Sequence, residues 1–173
     1  ELKDLDVEAV AISLLFSFLN DHHERRLGDA LREVLPDVAI FLSSEVLPEV
    51  REFERTSTTA VCAYVAPILK SYLERLETAT NSLGLPGLHV MGSTGGVFDV
   101  REALRMPVNS VESGPAAGVI AAQLVGAQLG ETNLISFDMG GTTAKASLIR
   151  DGQIEVTADY EVGGTGSQNR WVT

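Results

Sequence analysis

The sixteen residues LISFDMGGTTAKASLI, positions 134–149, decide how the chain is read. Asn133 to Phe137 is a strong strand signal, and the strand delivers Asp138 to its end. Gly140 and Gly141 follow; lacking a Cβ, they let the backbone turn tightly and come close to a ligand. Successive N–H groups in such a turn form an anion nest, and Thr142 and Thr143 add hydroxyl donors. Ala144 to Ile149 then continues as a second strand. A carboxylate beside a phosphate nest makes sense when Mg²⁺ lies between them, because the metal neutralises both. Spacing alone leaves two readings open: a plain Gly-Gly hairpin, or a nucleotide loop. A Walker loop and a dinucleotide fingerprint are both excluded, since no Gly-Lys-Ser/Thr follows and the loop leads into a strand instead of a helix.

Outward from the motif, Asp151-Gly152 signals a type I′ turn, with Ile154 and Val156 alternating beyond it. Upstream, Val7 to Phe16 is nearly continuous apolar sequence and suits a strand buried on both faces. Asp21 and Glu24 have capping-box spacing, Leu27, Ala30, Leu31 and Val34 recur at helical period, and Pro36 closes that helix. Ala39 to Leu42 is a second strand, so the order is βαβ. The charged segment Ser43 to Arg55 reads as a solvated loop, with Arg51 or Arg55 available to a carboxylate. Ser57 or Thr58 caps the next helix, whose stripe is Val61, Val65, Ile68, Tyr72 and Leu76; Pro67 should kink it, and Gly84 ends it. Leu88 to Met91 is a third strand, Val100 to Leu104 a short helix, Val108 to Val111 an extended piece, and a helix runs from about Ser113 to Leu129. Strands alternate with helices before residue 133 and follow one another by hairpins after it. The expected fold is α/β with a mixed sheet, divided into an α/β unit over 1–132 and a hairpin unit over 133–173.

Two weaker signals accompany the main one. Gly114, Gly118, Ala122, Gly126 and Gly130 fall four apart and give one helix a nearly bare face. That face reads as tight packing first, and as a helix N-terminus offering Ser113 and Gly114 to a phosphate second. Gly95 and Gly96 follow a strand by the same logic and lie either near a ligand or in an ordinary βα turn. His22 and His23 read as a solvated pair, His89 as a core or edge residue, and Cys62 as a small core residue.

The chain has 173 residues, 45% hydrophobic and 21% charged, an ordinary globular composition. A net charge of −11 argues against nucleic acid as a partner, whose phosphates are bound by Lys and Arg. One cysteine rules out an internal disulfide framework and multi-cysteine metal sites. No apolar run reaches the ~20 residues of a membrane helix, and no signal peptide is visible, so a cytoplasmic setting without membrane contact is expected. The sequence starts at Glu1 and stops after a Gly-rich stretch, and reads as an internal piece of a longer protein.

The strings ESGPAAGV (112–119) and FDMGGTTAK (137–145) together resemble the hydantoinase A / 5-oxoprolinase family. SSEVLPEVREFERTSTT (43–59), AYVAP (63–67) and MGSTGGV (91–97) are similar to that family as well, so the resemblance spans most of the chain. It implies a fragment of an actin-like (ribonuclease H-like) ATPase, in which a crossing helix precedes a phosphate hairpin. It implies ATP and Mg²⁺ as cofactors, a cyclic amide or imide as substrate, and a hydantoinase B-like subunit or domain as partner. Asp138 would position the metal or the attacking group, and Gly140, Gly141, Thr142 and Thr143 would hold phosphates. In such enzymes ATP phosphorylates the carbonyl oxygen of the ring amide and water then opens it; related members are ketone carboxylase subunits. Two departures stand out: the family's N-terminal phosphate hairpin is absent from this chain, which weakens the expectation that it binds ATP alone. Lys145 stands where many members have Asp, and would face phosphate instead. Another actin-like ATPase, such as a sugar kinase or chaperone relative, and a non-catalytic interaction domain are the alternatives.

Overall fold

The apolar run after Val7 is a strand only as far as Ile12 in the computed structural model, which describes residues 2–141, 144–155, 159–161 and 170–172. Thr142, Thr143 and Val156 lie outside the described residues. Strand β1 (Ala9–Ile12) pairs in parallel with β2 (Ala39–Leu42), Ala9 opposite Ala39 and Ile12 opposite Leu42, and helix α1 (His22–Val34) connects them. That is the expected βαβ unit. The strand stops early because the next backbone groups are taken by side chains. The Leu14 N–H donates to Glu24 Oε1 at 2.8 Å, and the Leu14 carbonyl accepts from Arg55 Nη2 at 2.8 Å. Phe16 then turns the chain at φ +59°. Glu24 is therefore not half of a capping box; Asp21 makes no side-chain cap bond and pairs with Arg25 instead.

The charged segment 43–55 is not a solvated loop. It forms α2 (Ser43–Val46) and the first turn of α3 (Glu52–Ser82), and Ser43 and Arg55 are fully buried. Glu52 and Glu54 suit the positive end of the helix dipole. Ser57 and Thr58 lie inside the helix, past its first turn, and do not cap it; the residue before its start is Arg51. The helix continues through Pro67 and ends at Leu83–Leu85. There the N–H groups of Gly84 (φ +66°) and Leu85 bond the carbonyls of Asn81 and Thr80, a Schellman ending. The expected stripe is partly on the outside, since Ile68 and Tyr72 are exposed. The buried face is instead Arg55, Thr59, Cys62, Ala66 and Leu73. Its small members pack against Phe41, Val46 and Leu47, and Leu73 packs with Val100 and Ala103.

Strands β3 (His89–Met91) and β4 (Val97–Asp99) form an antiparallel hairpin, so Ser93 to Gly96 is a hairpin turn and not a βα turn. Asp99 caps α4 (Val100–Arg105) by accepting from the Glu102 N–H at 2.8 Å. Pro107–Ser110 is a 3-10 turn where an extended piece was expected. Helix α5 (Ser113–Leu129) leads to β5 (Leu134–Met139), β6 (Ala144–Arg150) and β7 (Gln153–Ile154), an antiparallel meander; Asp151 (φ +51°) and Gly152 (φ +74°) make the predicted I′ turn. Strands β8 (Asp159–Glu161) and β9 (Arg170–Val172) also pair antiparallel. The described strands thus form four separate sheets instead of one mixed sheet. The reason is local pairing: β3 finds β4 and β5 finds β6, so neither adds to the parallel pair. Helix α5 packs on the meander across the topological change at residue 133. Gln123 Nε2 donates to the Gly152 carbonyl at 2.7 Å, and a Cβ at Gly126 would lie 2.2 Å from Leu134 Cδ1.

Candidate functional site

Asp138 sits near the exposed end of β5, directly opposite Lys145 on β6. Opposite residues of a two-stranded ladder project to the same face. Gly140 and Gly141 follow in an exposed turn, and a Cβ at Gly141 would meet no atom within 4 Å. Ser113 and Gly114 open α5, and Gly114 also faces open space. What joins these two pieces is an ion pair between the half-buried Lys145 Nζ and the exposed Glu112 Oε2. Glu112 is the residue before α5 and holds a left-handed conformation, φ +64° and ψ +17°, with no side-chain cap bond. The hairpin carboxylate, its glycine turn and the N-terminus of α5 are therefore held on neighbouring elements. The first N–H groups of a helix have no partner inside it.

Gly95 is brought to the same helix, but further along. Gly95 (φ +86°) would place a Cβ 2.7 Å from Ile120 Cδ1, so turn conformation and packing account for it. The Gly96 carbonyl accepts from the Gly92 N–H at 2.7 Å and closes the β3–β4 turn. Of the glycines on the expected bare face of α5, Gly126 packs against a neighbour, whereas Gly114, Gly118 and Gly130 have nothing within 4 Å. An open groove of about 630 Å³ lies elsewhere, lined by Glu8, Ala39, Pro67, Lys70 and Leu104 among others. Among the described residues no group of three or more His, Cys, Asp or Glu could hold a metal. His22 and His23 meet edge-on at 5.8 Å and are exposed, as expected of a solvated pair. Cys62 is fully buried, and burial pushes its thiol up to about 11, so it is protonated at neutral pH.

Sequence reasoning missed a second polar constellation, at the carboxyl ends of β1 and β2. Glu24 is fully buried and accepts from the Ser43 hydroxyl at 2.6 Å and from the N–H groups of Ser44 and Leu14 at 2.9 and 2.8 Å. Burial pushes its carboxyl up, but these hydrogen bonds together hold it below the usual carboxylate range. Arg55 donates to Ser43 Oγ at 3.0 Å and to the carbonyls of Glu49 and Leu14, each at 2.8 Å, and its guanidinium lies 5.5 Å from the Phe18 ring. The signal in the sequence was Ser43-Ser44 directly after a strand, within reach of both charges. Glu112 was missed as well, because nothing in its neighbours marks a left-handed residue.

A βαβ unit followed by a carboxylate-bearing hairpin docked on a helix N-terminus defines a mixed α/β chain in outline. The chain belongs to the hydantoinase/oxoprolinase family, whose model matches residues 55–172. An uncharacterised protein of Methanocaldococcus jannaschii is 41% identical over 164 residues, 94% of this chain and 24% of that protein. The caprolactamase alpha subunit of Pseudomonas jessenii is 36% identical over 160 residues, 92% of this chain and 23% of that subunit. The crystal structure of that organism's ATP-dependent caprolactamase matches with a TM-score of 0.75 at 37% identity, over 85% of this chain and 21% of that one. A nucleotide-free acetone carboxylase, a structure addressing ATP-dependent acetone carboxylation, matches with a TM-score of 0.77 at 30% identity, over 93% and 23%. The chain spans about a quarter of the length of these relatives. No helix among the described residues is long and apolar enough to cross a membrane.

Proposed function

We propose that this chain is part of an actin-like ATPase of the ring-opening kind, contributing the phosphate hairpin with which ATP·Mg²⁺ is used to activate a cyclic amide or imide. The observation that carries the reading is the docking of the Asp138 hairpin on the start of α5 through Glu112 and Lys145. Space is left at Gly141 and Gly114, where a side chain would meet nothing, and backbone N–H groups of a glycine turn and a helix start suit phosphate oxygens. A lone carboxylate fits a Mg²⁺ that arrives with phosphates, since that ion keeps most of its oxygens from phosphate and water. Asp138 would hold it, and the ion would offset charge on the transferring phosphoryl group. Gly140, Gly141, Ser113 and Gly114 would position the phosphates; Thr142 and Thr143 belong to the same loop by sequence. Phosphoryl transfer needs mostly positioning and charge neutralisation, which fixed backbone donors supply without reorganising. The similarity to an ATP-dependent caprolactamase supports the amide reading over a sugar kinase. The similarity to an alpha subunit supports a partner of the hydantoinase B kind, and a cytoplasmic setting is part of the same proposal.

Titration of ATP·Mg²⁺ onto the whole protein and its Asp138→Ala variant tests this. The intact protein should bind, and the variant should turn over roughly 100-fold more slowly, the several kcal/mol that metal-assisted charge stabilisation supplies. No binding by the intact protein would leave a non-catalytic interaction module. Turnover stimulated by sugars would move the protein to the kinase class, and turnover with ketone and bicarbonate to the carboxylases.

A further inference from the structure

We propose that the exposed face of α3 is where two copies of this chain meet, the two helices running antiparallel with Ile68 on the twofold axis. This goes beyond the nucleotide reading and does not depend on it. Tyr64, Ile68 and Tyr72 stand four apart in the helix, so they share one face. They are exposed to 75%, 65% and 53%. Ile68 and Tyr72 belong to the apolar stripe that the sequence marks. The chain covers only the edges of that stripe, leaving Val61, Val65 and Leu76 half-buried. Phe53 and Leu83 add exposed apolar surface at the two ends of the helix.

Symmetry, extent and charge select a second copy as the occupant. The apolar residues are spaced evenly about Ile68: Tyr64 and Tyr72 lie four positions to either side, Ala60 and Leu76 eight, Phe53 and Leu83 fifteen. A twofold contact pairs residue i with j and j with i. About Ile68, each Tyr64 then meets the other copy's Tyr72, each Ala60 leaves room for a Leu76, and Phe53 meets Leu83. The helix has 31 residues, a length of about 46 Å. Aromatic side chains bury roughly 150–250 Å² each, so Phe53, Tyr64 and Tyr72, with Ile68 and Leu83, offer on the order of 600 Å² per copy. Exposed Ala79 and the stem of Arg75 bring this toward the ~800 Å² per partner of a stable interface. Two chains of net charge −11 repel each other, so their contact must be free of carboxylates. No Asp or Glu stands between Glu54 and Glu74. Tyrosine suits such a contact, since its ring is apolar and its hydroxyl can stay at the wet rim.

Cross-linking of the whole protein through introduced cysteines tests this, because Cys62 is fully buried and does not compete. A disulfide needs Cβ atoms about 4 Å apart, so it reports which positions face each other. Under mild oxidation Ile68→Cys should give a linked dimer, whereas Asp29→Cys, exposed on α1, should not. Tyr64→Cys and Tyr72→Cys should each cross-link poorly alone and well when mixed. That pattern separates this contact from any association through β5. Ile68→Asp places two carboxylates at the axis and should raise the dimer Kd in sedimentation about 30-fold, the scale of a residue at an interface centre. Its melting curve and circular dichroism should stay those of the parent, since the position is exposed. A monomeric parent, an Ile68→Cys that cross-links no better than Asp29→Cys, or an Ile68→Asp that dimerises like the parent overturns the proposal. Efficient cross-linking of Tyr64→Cys and Tyr72→Cys each with itself would mean parallel helices, and overturns it too.

Discussion

Two charged residues with no access to water hold the carboxyl ends of β1 and β2 together. Glu24 and Arg55 are both fully buried, and Ser43 Oγ lies between them, donating to one and accepting from the other. Each charge is surrounded by hydrogen bonds, which is the condition under which a buried charge is tolerated. Because the Glu24 carboxyl is held below its ordinary value of 4.5, its contribution to stability is fully present above that value. It is lost as the pH falls through the lowered folded-state value. Glu24→Gln should therefore cost about 2 kcal/mol at pH 7, the scale of hydrogen bonds to a charged group. Below the lowered folded-state value the variant and parent should converge. Urea unfolding of both proteins at pH 7 and across the acid limb checks this; a constant gap across that range would show that the charge of Glu24 is not what stabilises.

At the scale of elements, α5 shows how one glycine spacing hides different physics. A Cβ at Gly126 would lie 2.2 Å from Leu134 Cδ1 and 2.9 Å from the Glu131 carbonyl oxygen, and the backbone oxygen cannot give way. Overpacking of this kind costs about 1–3 kcal/mol, more than the ~1 kcal/mol that alanine gains over glycine in a helix. Gly118 meets nothing within 4 Å. Gly126→Ala should lower the thermal midpoint of this chain and Gly118→Ala should raise it, in matched melting curves followed by circular dichroism. The sequence showed the row but not which glycine touches a neighbour, since contact depends on where the meander lies. Elements set by local rules were legible in advance: the βαβ unit, α5, the β5–β6 hairpin and the I′ turn at Asp151-Gly152. So was the carboxylate-glycine motif at 138–141. What was not legible came from long-range partners. Leu14 lost its strand to Glu24 and Arg55. The 43–55 charges became a buried anchor, and Lys145 found Glu112 thirty-three positions away. Periodicity carries no record of such pairings.

Across the whole molecule, apolar surface is distributed unevenly. Ile135, Phe137 and Met139 alternate along β5 and project from one face, exposed to 71%, 65% and 71%. Leu124, Val125 and Leu129 are exposed on α5, a helix apolar on nearly every side, and helices of that composition normally belong to an interior. A row of three large side chains on one sheet face exceeds the scattered apolar exposure of an ordinary surface. The 173-residue chain on its own should therefore self-associate and bind a hydrophobic dye. Threonine keeps the strand preference of the positions it replaces while removing apolar area. Ile135→Thr, Phe137→Thr and Met139→Thr together should shift sedimentation toward monomer and lower dye fluorescence, with the far-ultraviolet circular dichroism unchanged. A parent chain that sediments as a monomer at high concentration and leaves the dye dark would mean that this face is covered from within. The strand face of the β5–β6 hairpin would then already have its partner, and the hairpin would be rigid without any other element.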